Sequence, residues 1–403
     1  MPRNRDDTGE EGGLAVTSQP ELMRGPTGGQ LSDSSRQQAL SDFLRREQPL
    51  SNVVGFGHGV KWSGGEPTGQ EAVLVFVTQK LPESMLPERD VVPYQMDDGT
   101  PTDVVAVGHV AAQRQQRQAG SRREERQGAA YGPDGSVEEQ LARLTQPLLE
   151  ELSGAPAAFE PQILKRRMRP CPSGFSVGNV RVTAGTLGSV VYDFLPGATV
   201  DPPGPGLGIP AKFYVLSNNH VLADCNRAQL GSPIVQPGVF DGGTDPADRI
   251  ATLDRFIPIQ FAPQIPVERH NNVVDCALAA VEFQDATREQ YFSGAPRAWR
   301  RKANVAVGDP VKKTGRTTNI SFGRIMAVDA TIDVNYGTAG TARFKDQILT
   351  TSISAGGDSG SLVTSPDNVA VGLLFAGSSV VTIANHIENV RALLRVEIAE
   401  QLA

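Results

Sequence analysis

A serine set among glycines, a histidine at the end of an apolar run and an aspartate inside another are the residues of this chain best suited to chemistry. Ser359 lies in SAGGDSGSLV, residues 354–363, just ahead of an apolar strand pattern. Glycines let the backbone turn sharply enough to aim the amides of Gly357 and Ser359 at one point, which is what stabilising a tetrahedral oxyanion requires. A serine hydroxyl is a weak nucleophile and needs a base, usually an imidazole oriented by a carboxylate. Of five histidines, His220 ends the run YVLSNNHVLA at a strand-to-turn edge. His58 and His109 lie in strand patterns without metal-spaced partners and read as structural. His270 in a Pro-rich loop and His386 before the last helix read as solvated or capping. Asp275 interrupts NNVVDCALAAV, where an unpaired charge would be costly, whereas Asp248 and Asp254 lie in more polar surroundings. Alternatives remain at each position: a Gly-rich turn for GGDSG, and a strand-end turn for Asp275. The α/β-hydrolase elbow GxSxG is excluded, because Ser361 stands where it needs glycine.

The elements that must position these residues are short strands. The chain of 403 residues has 42 Gly and 29 Pro with 39% apolar residues, enough for a core but broken by many turns, which favours a β-rich fold. From residue 166 onward RVTAGTLGSVVYD, FYVLSNNHVL, SPIVQPG, DRIATLDRFIPI, VVDCALAAVEF, DPVKKTG, GRIMAVDAT, DQILTTSI, SLVTS and NVAVGLLFAG read as strands, and ENVRALLRVEIAEQLA reads as a helix with Val390, Leu393, Leu394 and Ile398 on one face. Residues 1–34 lack the large apolar residues needed to offset ordering entropy. Residues 35–110 read as a small α+β domain: a helix over 35–48, then the strands NVVGFGHGV, EAVLVFVTQ, DVVPYQM and TDVVAVGHV, with a turn at Asp98-Gly99. Residues 111–165 are an Arg, Gln and Glu-rich linker with a short helix over 137–152. Its Arg122-Arg123 pair, and Lys165-Arg166-Arg167 beyond, read as solvated charge, with processing sites as the alternative.

His220, Asp275 and Ser359 occur in the order His, Asp, Ser, and the blocks YVLSNNHVLA, VVDCALAAV and GGDSGSLV closely resemble those of the chymotrypsin and trypsin-like serine peptidases. KKTGRTTN and RVTAGTLGSVV add to that likeness. The layout, including NVVGFGHGVKWSGGEPTGQEAVLVFVTQKLPE, is similar to bacterial relatives of the plant Narrow Leaf proteins. The resemblance covers about residues 169–396. It implies a mainly β, two-barrel protease domain over 166–403, with His and Asp on the first barrel and Ser on the second. It implies a Ser-His-Asp triad of His220, Asp275 and Ser359 that forms an acyl-enzyme. It puts Ile353 at the base of the primary pocket, with Leu374, Phe375 and Ala376 on the substrate-binding strand, so an apolar or small P1 side chain is expected. No Ile-Val-Gly-Gly activation sequence precedes the first barrel, which sets the chain apart from the digestive zymogens.

The expected activity is serine endopeptidase, including a latent form in which the triad is present while a partner or the N-terminal segment controls the cleft. The competing reading is a protease-fold binding module without turnover. No metal or organic cofactor is needed. A net charge of −7 gives no general attraction to nucleic acid, and no run of roughly eighteen apolar residues spans a membrane. Polypeptide substrate is the expected partner, with a regulatory protein and a homo-oligomer both left open. Cys171, Cys225 and Cys276 are an odd, sparse set without zinc spacing, which suits a reducing, cytoplasmic setting.

Overall fold

Valine, isoleucine and threonine crowd the runs between the Gly, Pro, Asn and Asp turns, and such β-branched residues fit a pleated, half-buried surface. In the computed structural model, which describes residues 52–63, 66–87, 91–112 and 162–399, these runs become strands. The N-terminal stretch supplies β1 (Val53–Ser63), β2 (Glu66–Val77), β3 (Thr102–Ala106) and β4 (Ala111–Ala112). The first lobe follows with β5 (Cys171–Ser173), β6 (Ser176–Asn179), β7 (Gly185–Thr186), β8 (Ser189–Asp193), β9 (Phe213–Ser217), the helix α1 (Asn219–Leu222), β10 (Pro233–Val235), β11 (Arg249–Phe256), β12 (Ala277–Val281) and β13 (Ala286–Gln290). The second contains β14 (Ala298–Trp299), β15 (Pro310–Gly315), β16 (Asn319–Asn335), β17 (Thr341–Thr351), β18 (Leu362–Thr364), β19 (Val369–Gly377) and β20 (Val381–His386), then α2 (Ile387–Leu394) and β21 (Val396–Glu397). The fold is mainly β in two lobes, the chymotrypsin-like arrangement expected.

The second lobe closes on itself: β15, β18, β19, β20, β17 and β16 pair in turn, and β16 returns to β15. The first lobe runs β21-β8-β9-β12-β11-β10-β6-β7 and stays open. Its interior is filled by Phe175, Leu187, Val215, Leu222, Ile234 and Leu253. A separate core joins the lobes, with Tyr214, Leu216, Cys276 and Leu278 from the first meeting Leu362 and Leu373 from the second. Helix α2 seals it with Ile387, Val390 and Leu394, and β21 then pairs back to β8. The expected longer terminal helix stops at Leu394, because Arg395 turns left-handed (φ +56°) and the chain becomes strand. Leu393 is exposed as a result, and Arg391 is buried instead, paired with Glu397 and stacked over Phe194 and Trp299.

The N-terminal strands do not stand apart as a domain of their own. β1 pairs antiparallel with β16, so the β1–β2 hairpin and β3 extend the second lobe's sheet. Phe56 and Phe76 are buried, and Ala72, Leu74 and Phe76 share an apolar cluster with Ala327, Ile332 and Phe344. A hairpin alone buries too little to be stable, which is the physical reason it merges with the larger sheet. The turn at Asp98-Gly99 forms, with Gly99 at φ +83°, but DVVPYQM contributes only an isolated bridge at Gln95. The segment 1–34 and the helices expected over 35–48 and 137–152 lie outside the described residues.

Candidate active site

His220 sits in α1, entered directly from the apolar strand β9. The helix is a single turn because Asp224, Cys225 and Asn226 follow at φ of +50°, +53° and +70°. Left-handed backbone costs roughly 1–2 kcal/mol per L-residue, and a side-chain exchange offsets it. Asn219 Nδ2 donates to Asn226 Oδ1 at 2.7 Å, and the Asn226 amide donates to Asn219 Oδ1 at 2.9 Å. Asn226 also bonds the carbonyl of Ile259 at 2.7 Å, tying the turn to the loop after β11.

Asp275 lies two residues before β12, fully buried, and its partners answer the cost of burying a charge. Its Oδ2 accepts from His220 Nδ1 at 2.6 Å and from the Tyr336 hydroxyl at 2.8 Å. Its Oδ1 accepts from the His220 amide at 3.2 Å. Asn218 Nδ2 donates to its carbonyl at 2.7 Å, and its own amide donates to Asn385 Oδ1 at 3.0 Å. Tyr336 and Asn385 belong to the second lobe, so the first lobe's carboxylate is held from across the junction. With Nδ1 donating to Asp275, the other ring nitrogen is the one left to take a proton. That Nε2 is buried and makes no hydrogen bond among the described residues.

Ser359 comes from the turn between β17 and β18, on the second lobe. Its carbonyl accepts from the Thr186 amide of the first lobe at 2.7 Å. A Cβ on Gly185 would meet Val221 at 2.5 Å and the Ser359 carbonyl at 3.0 Å, so the serine loop and the His220 helix press against the same residue. The Ser359 hydroxyl donates to the Phe375 carbonyl at 3.2 Å. Gly357 takes φ +101°, and its carbonyl accepts from Thr186 Oγ1 at 2.9 Å. Gly360 takes φ +95°, and a Cβ there would lie 2.1 Å from Ser217 Oγ. Glycine on either side of Asp358-Ser359 is thus dictated by backbone and by lobe contact.

Asp358, which the sequence suggests only as a turn-stabilising residue, reaches well beyond its own turn. Fully buried, it accepts from Lys313 Nζ at 3.2 Å, Thr318 Oγ1 at 2.6 Å and the Thr317 amide at 2.8 Å. The Ala355 amide adds a bond at 3.0 Å that closes the loop ahead of Ser359. Lys313 is itself fully buried, and burial pushes its ammonium below the usual lysine range while Asp358 opposes that shift. A cation from β15 therefore neutralises this aspartate from within the second lobe. In the sequence KKTGRTTN adds to a family likeness without giving Lys313 a role, and Tyr336 stands alone in NYGTAG. Nothing local in the sequence marks either.

The pocket side chains fall elsewhere than expected. Ile353 and Leu374 pack with Ile348, Val371 and Ala384 inside the second lobe. Phe375 and Ala376 join the cluster around Phe344 and Tyr336. All of β19 is buried, because both faces of the strand are covered, so it can offer a ligand its backbone edge rather than these side chains. His270 and His386 are buried rather than solvated. His270 Nδ1 accepts from the Arg343 amide at 3.1 Å, and burial holds His386 below the usual imidazole range. All three cysteines are buried, and none of them is in a disulfide. Among the described residues no cluster of His, Cys, Asp and Glu could hold a metal ion, and no helix is long and apolar enough to cross a membrane.

No protein-family profile matches the chain. A curated relative, glutamyl endopeptidase 2 of Streptomyces griseus, is 39% identical over 69 residues, which is 17% of this chain and 34% of that protein. The chain thus spans about a third of the relative's length. Among solved structures, Thermobifida fusca protease A is 14% identical over 56% of this chain and 97% of its own, with a TM-score of 0.37. A glutamic acid-specific serine protease is 17% identical over 56% of this chain and 99% of its own, with a TM-score of 0.38. The resemblance to trypsin-like serine peptidases read from the His, Asp and Ser blocks agrees with the curated relative.

Proposed function

We propose that the protein is a serine endopeptidase in which His220, Asp275 and Ser359 act as the triad. The observation that carries this reading is the buried His220–Asp275 pair, 2.6 Å between Nδ1 and Oδ2, held at the lobe junction against the GGDSG loop of the opposite lobe. In the reaction, His220 Nε2 takes the proton of Ser359 as its oxygen adds to a peptide carbonyl, and Asp275 stabilises the imidazolium. His220 then protonates the leaving amine, and the acyl-enzyme is released by water that returns the proton by the same route. The amides of Gly357 and Ser359 are the proposed oxyanion donors, each worth about 10²- to 10³-fold in rate.

The substrate is an unfolded or extended polypeptide, paired along the backbone edge of β19. Position 353, where the resemblance puts the pocket base, supplies no acidic side chain, and Ile353 itself packs inside the second lobe; cleavage after Lys or Arg is therefore not expected, and small or apolar P1 residues are. Because the curated relative is named a glutamyl endopeptidase, glutamate is the informative competitor. Incubation with a mixture of unfolded peptides, followed by mass spectrometry of the ends, tests the reading. Products that depend on Ser359 and end in small or apolar residues support it; ends in Lys or Arg would overturn the pocket assignment. The closer relation to bacterial relatives of Narrow Leaf proteins and a cytoplasmic location belong to the same proposal.

A second reading is a binding module without turnover. It is favoured by the Ser359 hydroxyl bonding the Phe375 carbonyl while His220 Nε2 has no hydrogen-bonding partner among the described residues. Proteases at rest often show long or misaligned nucleophile–base contacts that tighten with substrate, so the endopeptidase reading accommodates the same geometry.

A further inference from the structure

The short strand β4 lies where an extended substrate would have to bind. β4 pairs antiparallel with the end of β19, Ala112 opposite Ala376 and Ala111 opposite Gly377. It also pairs parallel with the end of β16, Ala111 beside Asn335. Each contact is one residue from a group bonded to the proposed triad. Phe375, before Ala376, carries the carbonyl that accepts from Ser359 Oγ, and Tyr336, after Asn335, donates to Asp275. The register runs from Gly377 to Ala376 as β4 runs from Ala111 to Ala112, so the segment heads toward Phe375 and Ser359.

The segment is fastened along its length. Val107 donates its amide to the Val77 carbonyl at 2.8 Å, and its own carbonyl accepts from Ser378 Oγ at 2.5 Å. The Val110 carbonyl accepts from the Asn335 amide at 3.1 Å. Val107, Val110 and Ala112 are buried in the same apolar cluster as Phe375, Ala376 and Tyr336. The neighbouring site is itself closed: His220, Asp275 and Ser359 are 1%, 0% and 0% exposed. A peptide that adds a strand to a sheet edge needs that edge free, and here the edge of Ala376–Gly377 is taken.

We propose that residues 107–112 are a built-in occupant of the substrate-binding edge, which keeps the site closed until the segment is displaced. The occupant is this chain's own segment, held by strand pairing and apolar burial, and the partner that opens the site is an extended polypeptide able to pair with β19 in its place. The proposal rests on the endopeptidase reading and deepens it. Displacement has to overcome the backbone bonds and the burial of three small side chains, a modest barrier that a substrate or regulatory strand of better complementarity can supply.

The test compares the full chain with Ala112→Asp, which puts an unpaired charge into the cluster, and with Ala111→Pro, which removes a backbone donor from β4. Ser359 labelling by a fluorophosphonate is followed in time, and hydrogen exchange reports whether 107–112 has come away while the two lobes stay protected. Expected is slow labelling of the unmodified chain and labelling at least tenfold faster in both variants, with faster exchange confined to the segment. Equal labelling rates in a variant whose segment has been released would overturn the block while leaving Ser359 an activated nucleophile. Rapid labelling of the unmodified chain with the segment still protected would overturn it as well. No labelling of any chain, with the segment released and the lobes protected, would remove the endopeptidase reading and this proposal with it.

Discussion

The two lobes finish their sheets differently. The second closes into a ring and then borrows the N-terminal hairpin as an extension of β16, while the first lobe's sheet stays open and ends at β21 and β7. Polar groups at the junction follow that difference. The ring supplies fixed partners to the first lobe's Asp275: the Tyr336 hydroxyl donates to its carboxylate, and Asn385 Oδ1 accepts from its amide. The open lobe returns the Thr186 amide and hydroxyl to the carbonyls of Ser359 and Gly357. Each lobe holds the reactive residue of the other, so the site is a property of the junction rather than of either half.

The largest break in this comparison comes from inside the ring. Lys313→Met leaves Asp358 buried without its cation, and losing one partner of a buried pair costs about 3–5 kcal/mol. Thermal unfolding should show a large fall in Tm, and the Ser359 loop should lose its protection from exchange. An unchanged Tm would mean that the threonine and amide donors suffice for Asp358.

Gly360→Ala tests how closely the lobes meet. The left-handed backbone costs roughly 1–2 kcal/mol, and the new methyl would lie 2.1 Å from Ser217 Oγ. Denaturant unfolding should show a loss above that range, with activity lost alongside stability. A loss confined to the backbone range would mean that the lobes separate without cost.

Tyr336→Phe isolates the ring's hold on Asp275. A net hydrogen bond is worth about 0.5–1.5 kcal/mol, so kcat on a peptide substrate should fall severalfold to about tenfold with KM little changed. A change in KM alone would assign Tyr336 to substrate binding instead.

The smallest effect is electrostatic and lies away from the junction. His386 is buried near Asp346, Asp329, Glu388 and Lys302, and burial dominates by lowering its pKa. The unfolded chain then takes up a proton more readily than the folded one. Stability is complete above the ordinary imidazole range near 6.5 and falls as pH drops through it toward the lowered folded value. Replacing His386 with Asn should flatten that part of the stability profile; an unaltered slope would place the titration elsewhere.

The strands were legible in the sequence, and the proposed triad was picked out there, because each has a local sign: alternating apolar runs, glycines around Ser359, an aspartate inside an apolar run. What could not be read is pairing over distance. β1 and β2 look like strands on their own, but nothing in residues 53–77 names β16 as their neighbour. Lys313 shares a KK pair to which the sequence gives no role, and only the fold brings it to Asp358. Ile353 and Leu374 occupy positions that suggest a pocket by resemblance, yet both pack into the second lobe's core, Leu374 from β19 and Ile353 from the loop after β17. Arg395 ends the last helix by a left-handed turn that its residue type does not advertise.

The most direct test of the central claim is fluorophosphonate labelling of the full chain under conditions that free the β19 edge, with the modified peptide mapped and Ser359→Ala and His220→Ala measured beside it. The account predicts a single adduct on Ser359 that both substitutions abolish. Labelling of Ser359 that persists in His220→Ala, or an adduct on another residue, would contradict the triad.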